Sequence, residues 1–316
     1  MFEKIIEKLN KAEKVGIFTH VNPDGDALGS SYSLKSVLEG MGKYACVFIA
    51  GSIEPKLLKV IETGEERELE ISDCDLLVAL DSADVQRLDI WQDAFKEHKN
   101  TIAIDHHITH KEYAGISIVD DISSTCEVMC KLYKEMGVKL SKTAATNLYI
   151  GITTDTGNFK YSSVTGDTHR VAADLIDCGI DFSGIAKILF DTATKDYLAL
   201  KSLATEKLEY FLDDRVASLY LTDADFEKFN VDEATASPLV VLPSSIEGVE
   251  VGIYVRQRGE DELKVSLRSV KHVDVSAIAV KFGGGGHIRA AGYSIKTEEY
   301  KDNMTMLIAE IEKQLN

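Results

Sequence analysis

Apolar residues in the first 120 positions fall in short, dense runs separated by polar turns. VGIFTHV (15–21), YACVFIA (44–50), DLLVALD (75–81), TIAIDHH ending at His107, and GISIVD (115–120) are apolar on both faces. Such runs, alternating with helical stretches, predict a mostly parallel sheet covered on both sides. ALGSSYSLKSVLEGMG (27–42) repeats its apolar residues every three or four positions and predicts a covering helix. From Ser124 to about Gly179 the pattern turns helical, through STCEVMCKLYKEMG, KTAATNLYIGITTD and THRVAADLIDCG. The N-terminal MFEKIIEKLNKAEK has helical spacing but is charged throughout, unlike the unbroken apolar core of a signal peptide.

A charged helical stretch, TKDYLALKSLATEKLEYFLDD (194–214), reads as a connector. Beyond it, VASLYLT (216–222), VEVGIYVRQ (249–257) and ELKVSLRSV (262–270) read as strands, the last two joined by a polar RGEDE hairpin turn. Helical DVSAIAVKF (274–282), the run GGGGH, a strand AAGYSI and a terminal helix (298–314) follow. The predicted fold is α/β throughout. An N-terminal domain over 1–190 carries a mostly parallel sheet flanked by helices, a helical linker covers 191–214, and a smaller α/β domain with a glycine-rich GGGGH loop covers 215–316. A length of 316 residues suits two cores.

Charge narrows the classes of partner. Lys and Arg total 35 against 52 Asp and Glu, a net charge of −17. Coating long nucleic acid requires many cation–phosphate contacts, so that role is disfavoured. A short phosphorylated substrate held through metal ions stays compatible, because bound cations invert the local charge. No run approaches the roughly 20 apolar residues of a membrane span. The 5 cysteines form no C-x-x-C pair; Cys126 and Cys130, four apart on a helical stretch, suit a packed face better than a zinc site. The expected location is the cytoplasm. A homodimer is compatible with the sequence, though no residue demands it.

The chemistry lies where acids and histidines fall. His20, Asp24 and Asp26 stand in HVNPDGD, in the turn leaving the first strand; the loop lacks the Gly and Glu spacing of an EF-hand. Asp81 ends LLVALD, Asp105, His106 and His107 end TIAIDHH, and Asp155 closes YIGITTD. Each alone has a structural reading as a turn former or helix cap. Together they would meet in one crevice at the carboxyl ends of parallel strands, where such sheets bind ligands. Converging carboxylates repel one another unless a cation lies between them. Carboxylate and imidazole without thiolate favour Mn²⁺, then Mg²⁺ or Co²⁺, and the number of donors suits two ions roughly 3.5–4 Å apart. In FGGGGHIRAAG (282–292), bare amides beside His287 and Arg289 suit a flexible turn, a close backbone approach or an anion cradle. His98, His110, His169 and His272 have no carboxylate at ligand spacing and read as surface or capping residues.

HVNPDGDALGS, the Asp of VALDSAD, IDHH and GITTDTGNF resemble the four motifs of the DHH phosphoesterase superfamily. VSLRS followed by FGGGGHIRAAG resembles the DHH-associated C-terminal domain. DISSTCEV (121–128) is similar to the segment following the DHH motif in the bacterial oligoribonuclease/pAp-phosphatase (nanoRNase) branch. The resemblance implies two Mn²⁺ ions, one held by His20, Asp24 and Asp81, the other by Asp26, Asp81, His106 and Asp155. It implies that His107 faces the substrate phosphate and that Asp105 accepts a hydrogen bond that fixes a ligand imidazole. Arg268, Gly285, Gly286, His287 and Arg289 would bind the far end of the nucleotide. The implied activity is metal-assisted hydrolysis of very short RNA and of pAp (3′-phosphoadenosine 5′-phosphate). A small basic patch suits substrates of about two to five nucleotides. The alternative within the superfamily is hydrolysis of cyclic di-AMP or its linear product pApA. A manganese pyrophosphatase, which lacks the GGGH domain, and a longer-strand exonuclease, which needs a basic channel, fit less well.

Overall fold

A computed structural model describes residues 2–65 and 68–315. The chain divides into two compact units, one ending at Thr192 and the next beginning at Ala193.

In the first unit the order is α1 (Glu3–Lys11), β1 (Lys14–Phe18), α2 (Gly25–Gly40), β2 (Tyr44–Phe48), β3 (Leu76–Leu80), α3 (Gln92–Glu97), β4 (Thr101–Asp105) and β5 (Ile116–Val119). α4 (Thr125–Met136), α5 (Lys142–Asp155), α6 (Gly166–Asp177) and α7 (Phe182–Ala186) complete it. The five strands form one parallel sheet in the order β2-β1-β3-β4-β5. Alternate strand residues point to opposite faces, and both faces are apolar, as the continuous runs require. Val15, Ile17, Val78, Leu80, Ile102 and Ile104 face a core shared with α1, α2, α4 and α5. Phe18, Leu77 and Ala79 face a second core with Leu88 and with Phe95 of α3. Ring stacking of Phe18 on Phe48, with Trp91 and Phe95 edge-on, seals that side.

Helices start where side chains satisfy their first amides. Asp24 caps α2 by accepting from the amides of Asp26 and Ala27, Ser124 caps α4 through the Glu127 amide, and Ser141 caps α5 through the Ala144 amide. Glycine lets α2 and α5 touch. A Cβ on Gly29 would run into the Asn147 carbonyl, and one on Gly151 into Cys126 Sγ and within 2.9 Å of Asp26 Oδ1. That close approach places the start of α2 beside the end of α5.

The second unit holds α8 (Lys195–Glu206), β6 (Glu209–Phe211), β7 (Val216–Leu221), α9 (Asp223–Phe229), α10 (Glu233–Ala236), β8 (Val251–Arg258) and β9 (Glu262–Ser269). α11 (Val275–Lys281), β10 (Gly285–His287), β11 (Ala290–Lys296) and α12 (Tyr300–Leu315) follow. Its six-stranded sheet runs β10-β11-β9-β8-β7-β6, antiparallel except for β7 with β8. Residues 193–214 of the stretch expected as a linker belong to this unit. Leu200 and Ala204 of α8 are buried with Leu219, Leu221 and Phe226, so these two of its apolar residues are core contacts, whereas Leu198 is exposed.

The glycine run is only partly a loop: Gly283 and Gly284 lie between α11 and β10. Gly285–His287 is strand β10, paired with β11, and a Cβ on Gly284 would strike the Gly292 carbonyl oxygen and Tyr293. Gly286, at φ +143°, is pressed against the Ala290–Ala291 backbone in the same way. Gly284 and Gly286 thus serve a close backbone approach, whereas nothing crowds Gly283 or Gly285.

Candidate metal centre

Every candidate donor leaves the carboxyl end of a strand or the adjoining end of a helix. β1 lies between β2 and β3, so successive connections diverge there and leave a crevice. His20 follows β1, Asp81 follows β3, His106 and His107 follow β4, Asp24 and Asp26 begin α2, and Asp155 ends α5.

Three groups of three donors form, each with its ligand atoms within 4.8 Å of one another: His20, Asp24 and Asp81; Asp26, His106 and Asp155; and Asp81, His106 and His107. Asp81 faces both His20 and His106. Its Oδ2 lies 3.8 Å from His20 Nε2, and its Oδ1 lies 3.6 Å from His106 Nε2. His20 Nε2 is also 3.6 Å from Asp24 Oδ2, and His106 Nε2 is 3.4 Å from Asp155 Oδ2. Both imidazoles use their other nitrogen on a main-chain carbonyl: His20 Nδ1 on Val21 O at 2.9 Å and His106 Nδ1 on Ile122 O at 3.0 Å. A carbonyl only accepts, so each Nδ1 carries a proton and each Nε2 is left facing the cluster, where it could serve a metal ion.

Helix α4 holds the acids from behind. The Thr125 and Cys126 amides donate to the two oxygens of Asp26 at 2.6 and 2.9 Å, and the Thr125 hydroxyl donates to Asp81 Oδ1 at 2.9 Å. These contacts explain the DISSTCEV segment, and sequence reading assigned them no role. Donors that fit an anion identify the residues; only the fold shows which anion they meet.

The electrostatics suit a cation, which would relieve the repulsion that otherwise favours proton uptake. Burial, then the neighbouring Asp81, Asp155 and Asp24, push Asp26 well above the usual carboxylate range. Burial and Asp24 push Asp81 up to about 6 despite three nearby histidines, and burial likewise raises Asp155. Two imidazole nitrogens and four carboxylates aimed at one another, without thiolate, fit hard or borderline divalent cations. The residues present can hold a divalent metal ion.

Asp105 behaves differently. It is fully buried, and although burial raises its pKa, hydrogen bonds from His107 and His110 outweigh that and bring it down to about 2. It accepts from the amides of His106 and His107 and from His107 Nδ1 at 2.7 Å. The resemblance assigned Asp105 to a ligand imidazole. In the structure it holds His107, whereas His106 is held by the Ile122 carbonyl. His110, read as a surface or capping residue, is instead buried against Asp105. Its partner lies five residues upstream, within reach because the turn from His107 to His110 is closed by a hydrogen bond from the His110 amide to the His107 carbonyl.

In the second unit Arg268 lies opposite Ala290, and Ala290 lies opposite His287. Cross-strand partners share a sheet face, so Arg268 and His287 flank a small residue on one face. Gly285 and Gly286 pair with Gly292 and Ala291 in the same hairpin. Arg289 turns back to the Val273 carbonyl at 3.0 Å and to Ser269 Oγ at 3.3 Å.

A parallel sheet with this set of carboxylates and imidazoles at its carboxyl edge defines a class. The DHH family, N-terminal domain, matches residues 14–152 and the DHHA1 domain matches residues 213–316; the chain belongs to the DHH family of phosphoesterases. It is 32% identical over 301 residues to the bifunctional oligoribonuclease and PAP phosphatase NrnA of Thermus thermophilus, covering 93% of this chain and 88% of that protein. It is 27% identical over 330 residues to the cyclic-di-AMP phosphodiesterase PdeA of Listeria monocytogenes, covering 98% of this chain but 48% of that one. The crystal structure of an exopolyphosphatase-related protein from Bacteroides fragilis superposes with a TM-score of 0.89 at 28% identity, covering 98% of this chain and 95% of that one.

Proposed function

We propose that this chain is a Mn²⁺-dependent hydrolase that degrades short 5′-phosphorylated oligoribonucleotides and removes the 3′-phosphate of pAp. The observation that carries this reading is a complete set of donors in a chain that aligns nearly end to end with the Thermus oligoribonuclease and PAP phosphatase. His20, Asp24 and Asp81 would hold one ion and Asp26, Asp81, His106 and Asp155 a second, with Asp81 giving one oxygen to each. When bound, the two cations supply Lewis acidity that activates water and neutralises charge on the phosphoryl oxygens. Mg²⁺ or Co²⁺ would substitute.

The protein groups do the rest. Hydrogen bonding to Asp105 raises the pKa of His107, and because Asp105 takes Nδ1, the Nε2–H remains to meet a phosphate oxygen or the leaving oxygen. Thr125 and the first amides of α4 keep Asp81 and Asp26 in place. In the second unit, Arg268, Gly285, Gly286, His287 and Arg289 would bind the part of the nucleotide remote from the scissile bond, contributing binding energy there. With net charge −17 the chain has little to grip long nucleic acid. No helix among the described residues is long and apolar enough to cross a membrane, and all five cysteines are free. These features suit a reducing cytoplasm.

The Listeria relative supports a second reading, hydrolysis of cyclic di-AMP or pApA. A chromatographic assay with Mn²⁺ separates the two, using matched concentrations of pAp, a 5′-phosphorylated RNA series from dinucleotide to pentanucleotide, pApA and cyclic di-AMP. Rapid loss of pAp and short RNA with cyclic di-AMP nearly untouched is expected. Preferential opening of cyclic di-AMP would replace this reading with the second.

A further inference from the structure

Asp105 is held on both oxygens. Oδ1 takes His107 Nδ1 and Oδ2 takes His110 Nδ1, each at 2.7 Å. The side chain of His110 is only 3% exposed. Its remaining nitrogen, Nε2, is buried and has no hydrogen-bond partner among the described residues. A carboxylate oxygen only accepts, so His110 Nδ1 carries the proton directed at Asp105.

The neighbours fix that ring. Tyr113 packs against it, with centroids 5.2 Å apart, and donates its hydroxyl to the Ser82 carbonyl at 2.8 Å. The Lys111 amide donates to the Ala83 carbonyl at 2.8 Å. Residues 107–113 are thereby tied to the segment that follows Asp81. Among the described residues no donor other than His110 reaches Asp105 Oδ2. An apolar ring at 110 would fill the same space but leave a buried carboxylate oxygen bare, free to turn and carry Oδ1 away from His107.

We propose that His110 is a positioning residue for hydrolysis: it pins Oδ2 of Asp105 so that Oδ1 holds His107 with its Nε2 edge toward the substrate phosphate. The role is geometric, exerted through the two hydrogen bonds to Asp105. The inference rests on the proposed reading of His107 as the group that meets substrate.

The test compares His107→Ala, His110→Ala, His110→Asn and the double variant His107→Ala/His110→Ala, all Mn²⁺-loaded and acting on pAp, with Mn²⁺ affinity measured by calorimetry. His110→Ala is expected to lower kcat by roughly 10-fold, the lower end for losing an outer-sphere partner. KM and Mn²⁺ affinity should stay within about twofold, and the second substitution should change kcat by less than about twofold once His107 is gone. His110→Asn, whose amide N–H can reach Asp105, should restore most of kcat. If the alanine variant does not fold, His110→Phe keeps the packing on Tyr113 without the donor and gives the same comparison. An unchanged kcat, an equal loss with and without His107, or a fall in Mn²⁺ affinity in step with kcat overturns the inference. A silent His107→Ala overturns the reading of His107 itself, and this inference with it. A damaging His107→Ala beside a silent His110→Ala overturns the inference alone.

Discussion

Asp81 stands at φ +55°, in the left-handed region that residues other than glycine seldom occupy, immediately after a fully buried strand. Aspartate tolerates that conformation better than most side chains, and the turn there lets its two oxygens face different histidines. Asp81→Ala is expected to lower kcat at least about 100-fold, the scale for losing one charge-stabilising group. Comparable turnover by a folded, Mn²⁺-saturated variant would remove Asp81 from the centre. Thr125→Val keeps the side-chain shape but deletes the hydroxyl donated to Asp81. It should weaken Mn²⁺ binding by roughly 10-fold, read by calorimetry. At this scale the sequence was legible wherever chemistry and position coincide. The structure brings His20, Asp24, Asp26, Asp81, His106 and Asp155 together, as their types and their places at strand and helix ends predict. Thr125 and His110 were not legible, since a threonine opening a helix and a histidine in a turn have ordinary roles, and their partners lie on other segments or across a turn.

Elements carry the site through close packing. Gly151 of α5 faces Cys126 of α4 and Asp26 of α2, so three helices meet over one missing side chain. Gly151→Ala should destabilise the fold by about 1–3 kcal/mol through overpacking, measured by urea denaturation, and should weaken Mn²⁺ binding by displacing Asp26. Adding Cys126→Ala should recover part of both losses; no recovery would show that the crowding lies elsewhere. The five strands of the first sheet were readable because runs apolar on both faces have few alternatives. The status of α8 was not, because its surface charges outnumber Leu200 and Ala204, the two residues buried in the second unit. The glycine run was readable as a close backbone approach, but its pairing as a strand depends on β11.

On the scale of the whole molecule, the metal-free chain confines raised carboxyl groups and raised imidazoles together. A group whose folded pKa is raised adds stability below its unfolded pKa and loses it as pH rises through the folded value. For Asp81 that loss runs between about pH 4 and about 6. Asp26 and Asp155 act in the same direction. His20, where Asp24 and Asp81 outweigh burial, and His107, hydrogen-bonded to Asp105, extend the loss above about pH 6.5. Asp105 works in the opposite sense, but with a folded value of about 2 its contribution is complete above about pH 4. The chelator-treated chain should therefore melt at lower temperature at pH 8 than at pH 5.5. With Mn²⁺ the order should reverse, because the ligands bind metal only when deprotonated. A metal-free Tm that rises with pH would contradict this electrostatic account.

The most direct measurement is an equilibrium Mn²⁺ titration of the full chain followed by electron paramagnetic resonance, with Asp81→Ala in parallel. The account predicts two ions per wild-type chain whose signals are magnetically coupled, and loss of the coupling in the variant. A single uncoupled ion in the wild type, or no binding, would contradict it.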